Sequence, residues 1–282
     1  MKTFYKLTIP LLAAVAFSSA ATTAPAAAHN TSHPAAPLPV TVQDVRIPVA
    51  GQAPVTAYVV RPAHRTRPLA GVLYLHWFAP GEPNQDRTEF LAEAEKAASR
   101  GAVAVLPQLT FPWTADPVGD ARDRTAVARQ LAAVTATYRY LLRQPGLDTR
   151  RTAVVGHDYG AMYAALLAQR EPVMRAAVLL APDATWANWF DKYWLDLPAA
   201  EKPSYHDVFR GLDPVDNVSR LGRGLYFQFA GQDVYIPAET RAAFAAAAPA
   251  AKVSLYPDAD HFLDHAAELD RTAWLNRRLD LC

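Results

Sequence analysis

The sequence predicts an α/β fold with a mostly parallel central sheet and helices on both faces. Three observations lead there. Strand-like and helix-like segments alternate from about residue 70 to the end, the pattern written by a parallel sheet with crossover helices. The strand-like segments AGVLYLHW, AVAVLPQ and GLYFQFAG are continuous apolar runs, as expected of strands covered on both faces. Several of the segments between them carry apolar residues at helical spacing and stop at turn residues.

The elements follow in order. VQDVRIPVA and APVTAYVVRPA read as two strands around a turn at Gly51, and AGVLYLHW as the first central strand. In DRTEFLAEAEKAASRG, Asp86 and Glu89 have capping-box spacing, Phe90, Leu91, Ala94, Ala97 and Ala98 share a face, and Gly101 ends the helix. AVAVLPQ is a strand and DARDRTAVARQLAAVTATYRYLLRQPG a long amphipathic helix. RTAVVGHD, MRAAVLLAP, GLYFQFAG and KVSLYP are further strands. GAMYAALLAQR, AETRAAFAAAA and HAAELDRTAWLNRRL are helices. The rhythm breaks at 182–223, a short cap-like insertion after the sixth strand, rich in Trp, Tyr, Asp and Pro. Long connections of this kind are often functional.

The ends read differently. MKTFYK followed by LTIPLLAAVAFSSAA, with Ala26 and Ala28 at small-x-small spacing, predicts a signal peptide over 1–28. The run is too short and too small-residue-rich for a membrane span. Its removal takes Lys2 and Lys6 and no acid, which lowers the formal net charge from +1 to −1. Residues 29–40 read as a Pro- and Ala-rich linker and 41–282 as the folded domain. Export places the protein in the periplasm or outside the cell, with no stable membrane insertion. The single cysteine, Cys282, allows no internal disulfide. Charged residues make up 20% of the chain with no basic run, so nothing points to nucleic acid. There is no phosphate loop, zinc spacing or cofactor fingerprint. The expected partner is a small-molecule substrate, with no cofactor.

The chemistry gathers at strand ends. VVGHDYGA, residues 154–161, has the form strand–Gly-x-Asp-x-Gly–helix. A nucleophile on such a turn needs small neighbours two residues either side, because larger side chains would collide. Backbone N–H groups at the helix start favour negative charge there. Asp158 therefore reads as a nucleophile, or else as a helix cap. GQDVYIP puts Asp233 on the loop after a strand, where an acid can orient a histidine. YPDADHFL puts His261 on the loop before the last helix. Asp183, after AAVLLAP, is the runner-up acid. LYLHWFAPG ends the first central strand in an irregular turn, so the backbone N–H groups of Trp77 and Tyr159 are the expected oxyanion donors. His76 reads as structural rather than catalytic. His76, Phe78, Trp186, Trp189, Tyr193 and Tyr205 are candidates for the substrate pocket.

The order nucleophile, acid, histidine is that of the α/β-hydrolase fold, which the chain resembles from about residue 41 to the end. RGAVAVLPQ, GQDVYIP and YPDADHF resemble the dienelactone hydrolase branch. The elbow GHDYGA is similar instead to the GHDWG-type elbows of epoxide hydrolases and haloalkane dehalogenases. That second resemblance implies that Asp158 opens an epoxide or displaces halide, forming an alkyl ester that water activated by His261–Asp233 then hydrolyses. Two alternatives stand beside it. One is an esterase or lactonase with Asp158 as a base toward water. The other is a binding protein on a hydrolase scaffold.

Overall fold

In the computed structural model the described residues are 38–64, 68–77, 83–112 and 115–281. They all fall in one unit, Ala35–Cys282. The expected signal peptide, the linker up to residue 37 and Phe78 lie outside them. The end of the expected linker is already part of the fold. Leu38 N–H donates to the Ser99 carbonyl at 2.9 Å, and Val40 opens the first strand.

Eight strands form one sheet in the order β1-β2-β4-β3-β5-β6-β7-β8. β1 (Val40–Ile47) and β2 (Val55–Pro62) are an antiparallel hairpin, and β2 also pairs antiparallel with β4 (Ala102–Pro107). The remaining pairs, through β3 (Leu69–Leu75), β5 (Leu147–His157), β6 (Ala176–Leu180), β7 (Leu225–Ala230) and β8 (Lys252–Tyr256), are parallel. β3, β4, β6 and β7 are buried along their whole length, and apart from Gln228 in β7 their residues are apolar, as strands covered on both faces require. Each such Val or Leu removes enough apolar surface from water to stabilise the fold by roughly 1.5–3 kcal/mol.

The helices divide between the two faces. α2 (Ala121–Leu142) and α3 (Tyr159–Arg170) cover one face, where Val134, Tyr138, Leu166 and Leu167 pack on Leu73, Val105 and Val154. α1 (Leu91–Ser99) and α7 (His265–Leu279) cover the other, with Ala94, Ala98, Trp274 and Leu275 against Val72, Ala104 and Val155. Asp120 and Asp264 cap α2 and α7 by accepting from Arg122 N–H and Ala267 N–H. The insertion carries α4 (Trp186–Phe190), one π turn (Asp191–Leu195), α5 (Lys202–Val208) and two short 3₁₀ turns. α6 (Ala238–Ala247) follows β7. Among the described residues, no helix is long and apolar enough to cross a membrane.

The capping box expected at Asp86 and Glu89 does not form. α1 starts at Leu91, and its cap position, Phe90, makes no side-chain bond. Asp86 Oδ1 instead accepts from the backbone N–H and hydroxyl of Thr88, each at 2.8 Å. Glu89 is thereby left to turn inward, toward the carboxyl ends of β3 and β5.

Candidate active site

The elbow between β5 and α3 is strained. Asp158 sits at φ 49°, ψ −120°, a conformation that costs a non-glycine residue about 1–3 kcal/mol and tends to occur at functional sites. The flanking glycines make the turn possible. A Cβ on Gly156 would come within 2.5 Å of the Gly160 carbonyl oxygen, and one on Gly160 would strike the Leu75 and His76 carbonyls. Asp158 does not cap α3 with its side chain. Its carboxyl stands beyond the β5 end and is 2% exposed.

Asp233 and His261 come to the same place from the loops after β7 and β8. His261 Nδ1 lies 2.9 Å from Asp233 Oδ2. A ring nitrogen facing a carboxylate carries a hydrogen, so Nδ1–H donates, and in that tautomer Nε2 is an acceptor. Asp233 Oδ1 accepts from Tyr235 and Ile236 N–H at 2.8 and 3.0 Å. Burial pushes the Asp233 carboxyl up, but the bond and charge of His261 and these N–H groups pull it below its ordinary value. His261 Nε2 lies 3.9 Å from Asp158 Oδ1. Both His261 Nε2 and Asp158 Oδ2 are buried without a hydrogen-bond partner.

Asp158 is held on one side only. Its Oδ1 accepts from Trp189 Nε1 at 3.2 Å, and the Tyr159 backbone N–H also bonds its carboxyl. Burial raises its pKa above the usual aspartate value, against the pull of His261, His157 and these donors.

The expected oxyanion pair is engaged in this state. Trp77 N–H donates to Glu89 Oε2 at 2.7 Å, and Tyr159 N–H serves the Asp158 carboxyl. A buried N–H needs an acceptor, and the side chain read as a cap supplies one. Glu89 Oε1 meets His157 Nδ1 at 2.6 Å, while His157 Nε2 lies 3.0 Å from the His261 carbonyl oxygen.

The other candidates separate cleanly. Asp183 is buried and makes no bond to His261; its carboxyl accepts from the backbone N–H groups of Thr185, at 3.4 Å, and Ala184. Burial and the Asp158 charge push it up to about 6. His76 accepts from Leu109 N–H at 2.9 Å through Nε2, and its Nδ1 faces the Trp77 carbonyl at 2.6 Å. Burial lowers it to about 4, so it is a neutral structural residue. Trp186 and Tyr205 are corrections to the expected pocket. Trp186 is fully buried and donates to the Leu212 carbonyl, with its ring 4.8 Å from Tyr163. The Tyr205 hydroxyl donates to Asp123 Oδ2 at 2.6 Å, pinning the insertion to the start of α2. Trp189 is in the site. Tyr193, half-buried, has its hydroxyl pushed up by burial and by the charges of Asp158, Asp183 and Asp233, which keeps it protonated and in their field.

The sequence reading missed Glu89, His157, Tyr235 and Phe262 as site residues. The rings of Tyr235, His157, Trp77 and Phe262 stand 4.8, 5.0, 5.3 and 5.9 Å from that of His261. Only position could have signalled His157 and Phe262, which adjoin Asp158 and His261 in the chain, and Tyr235, two residues after Asp233. Among the described residues, no cluster of side chains could hold a metal ion.

A strained elbow with an acid and a histidine from the next strand-end loops is the arrangement of an α/β-hydrolase fold, and the chain is a hydrolase. Residues 55–273 match the dienelactone hydrolase family, and the chain belongs to that family. A protein from Yersinia pestis named as a carboxymethylenebutenolidase is 27% identical over 223 residues, covering 73% of this chain and 72% of that one. A dienelactone hydrolase structure from Klebsiella pneumoniae superposes with TM-score 0.61 at 19% identity, over 86% of this chain and 99% of its own. An acetyl xylan esterase from Paenibacillus gives TM-score 0.65 at 16% identity, over 85% and 84%. These two likenesses speak to the fold. The layout that resembles dienelactone hydrolases is thus the family's own. The likeness to epoxide hydrolases and haloalkane dehalogenases rests on the elbow motif alone.

Proposed function

We propose that the protein hydrolyses a small carboxylic ester or lactone, with Asp158 as the base toward water and His261–Asp233 as its orienting partner. One observation carries the reading. Asp158 Oδ2 and His261 Nε2 are two buried acceptors without partners, on side chains whose Oδ1 and Nε2 lie 3.9 Å apart. Two such acceptors suit one water, whose two O–H groups would satisfy both.

In this mechanism water gives one proton to Asp158 as its oxygen bonds to the acyl carbon. The carbonyl electron pair moves to oxygen. Collapse of the tetrahedral intermediate expels the alkoxide, which takes the proton back from Asp158. The raised pKa of Asp158 makes it a stronger base than an exposed aspartate and eases its neutral state. We assign the Tyr193 hydroxyl as a donor to the developing oxyanion, since the Trp77 N–H is held by Glu89. Family membership supports acyl chemistry, and direct attack by aspartate on an ester would leave a reactive anhydride.

A second reading has its own support. The donors Trp189 Nε1 and Tyr159 N–H rest on the Asp158 carboxyl itself. They suit charge developing there if water attacks an alkyl–Asp158 ester formed from an epoxide or alkyl halide.

The test is a matched panel of ester, lactone, epoxide and haloalkane probes against wild type and Asp158→Asn. Turnover of esters or lactones, lost by about 10³-fold or more in a folded Asp158→Asn, is expected. Equal turnover by the two proteins overturns the site. We also propose export, on residues 1–28. N-terminal sequencing of protein from the cell exterior or periplasm should begin near His29, and an intact Met1 in the cytoplasm would refute it.

A further inference from the structure

Behind the reactive residues lies a second pair of ionisable groups that the proposed chemistry does not use. Glu89, on the segment leading into α1, accepts from two directions: His157 Nδ1 at 2.6 Å and Trp77 N–H at 2.7 Å. His157, at the end of β5, faces acceptors through both ring nitrogens, since Nε2 meets the His261 carbonyl at 3.0 Å. A carbonyl oxygen and a carboxylate oxygen only accept. With Glu89 ionised, both bonds exist together only if both nitrogens carry hydrogen, and the ring is then an imidazolium. The His157 side chain is 1% exposed and that of Glu89 is 16% exposed. A buried charge of this kind persists only with its partner.

We propose that Glu89 and His157 form the positioning element of this site: a carboxylate–imidazolium pair that fixes the Trp77 and His261 loops and keeps Asp158 ionised. The inference rests on the reading of Asp158 as the reactive base. Three segments meet at the pair. Glu89 holds the turn after β3 through Trp77, and His157 holds the histidine loop through the His261 carbonyl. His157 is also the immediate chain neighbour of Asp158. Its ring lies 5.0 Å from the His261 ring, which in turn bonds Asp233. Loss of the pair therefore disturbs the reactive base and its histidine together.

The electrostatics agree with the geometry. Burial acts to lower the His157 pKa, but the charge and hydrogen bond of Glu89, the charge of Asp158 and the His261 carbonyl together raise it. For Asp158, burial raises the pKa, and His261 and His157 are the charges that oppose it. The charges around the pair are few. Arg271, Glu93 and His76 feel Glu89 through space, and Asp183 and Tyr193 feel Asp158. Glu93 is already bound by Arg271. Among the described residues, His157 thus acts on Asp158 as a cation beside a protonated His261.

Glu89→Gln tests this. The amide keeps size and can still accept from Trp77 N–H, but it removes the anion. The primary readout needs no substrate: NMR titration of the Asp158 side-chain carboxyl, assigned with Asp158→Asn, together with the ring nitrogens of His157. In wild type at pH 7, both His157 nitrogens should be protonated. In Glu89→Gln, His157 should become neutral and the Asp158 pKa should rise by about one unit or more. On the best ester probe, the acidic limb of kcat/KM should move up by the same amount. Glu89→Asp, which retains the anion, should restore His157 protonation in part. If Glu89→Gln unfolds the chain, wild type and Glu89→Asp still decide the matter through the His157 nitrogens. A neutral His157 in wild type overturns the proposal, as does an unshifted Asp158 in a folded Glu89→Gln. Absence of ester turnover in wild type would refute the functional reading, while the titrations still decide whether the pair acts on Asp158.

Discussion

Asp158 and Asp233 are both aspartates at the carboxyl ends of parallel strands, both buried and both beside His261, yet their surroundings push them opposite ways. Asp233 accepts from two backbone N–H groups and from His261, and its pKa falls. Asp158 keeps one oxygen without a partner on a strained backbone, and its pKa rises. Hydrogen bonds to the charged form stabilise it, and burial without them does the reverse. A fully bonded carboxylate orients its neighbour. A partly bonded one retains the capacity to take a proton. The same side chain thus fills two roles, set by how many donors the local backbone points at it.

His261, between the two carboxylates, carries the largest effect. His261→Gln keeps a polar side chain but removes the imidazole that Asp233 orients. It should lower kcat/KM on the best probe by roughly 10²–10⁴-fold with the fold unchanged by circular dichroism. If His261 is a bystander, kcat/KM will stay within a few-fold of wild type.

A buried pair outside the site sharpens the contrast between charge that orients and charge that binds helices. One helical turn beyond Glu89, Glu93 pairs with Arg271 and so joins α1 to α7. Both members are largely buried. Arg271→Ala leaves Glu93 without its cation, and should cost about 3–5 kcal/mol in denaturant unfolding. Turnover per folded molecule should be near wild type. A loss of activity without a loss of stability would mean that this pair belongs to the site as well.

The smallest effect concerns Asp183, which shares the burial of Asp158. Its folded pKa is pushed up to about 6 from the ordinary aspartate value of 3.8. Between those values the folded state holds a proton that the unfolded chain releases, so stability falls as pH rises through this window. Asp183→Asn removes the penalty. Its melting temperature should exceed that of wild type above pH 6, and the gain should shrink toward pH 4. A pH-independent difference would show that the carboxyl is not held neutral by its surroundings.

The parts that could be read from sequence are those with a local grammar. Strand, glycine, aspartate, glycine and helix occur within eight residues, and each glycine answers a steric demand of the turn. Asp233 follows the fully buried strand β7, and His261 follows β8, the half-exposed strand at the sheet edge. Glu89 had no such grammar, because an acid three residues after Asp86 fits a helix cap as well as it fits a buried pair. Only the tertiary approach of β5 gives it His157. The aromatic insertion was equally ambiguous. Trp186 and Trp189 are three residues apart on one short helix, yet Trp186 bonds the insertion's own backbone and Trp189 bonds Asp158. Composition cannot say which ring faces the packing and which faces the site.

Asp158 either moves a proton or forms a bond to the substrate. A single turnover in heavy-oxygen water, with mass analysis of both the product and the peptide that contains Asp158, asks this directly. With Asp158 as base, the first product molecule carries oxygen from water and the Asp158 peptide gains no label. If the first product instead carries unlabelled oxygen while the Asp158 carboxyl acquires the heavy isotope, the reaction passes through an alkyl–enzyme ester and the proposed base mechanism is wrong.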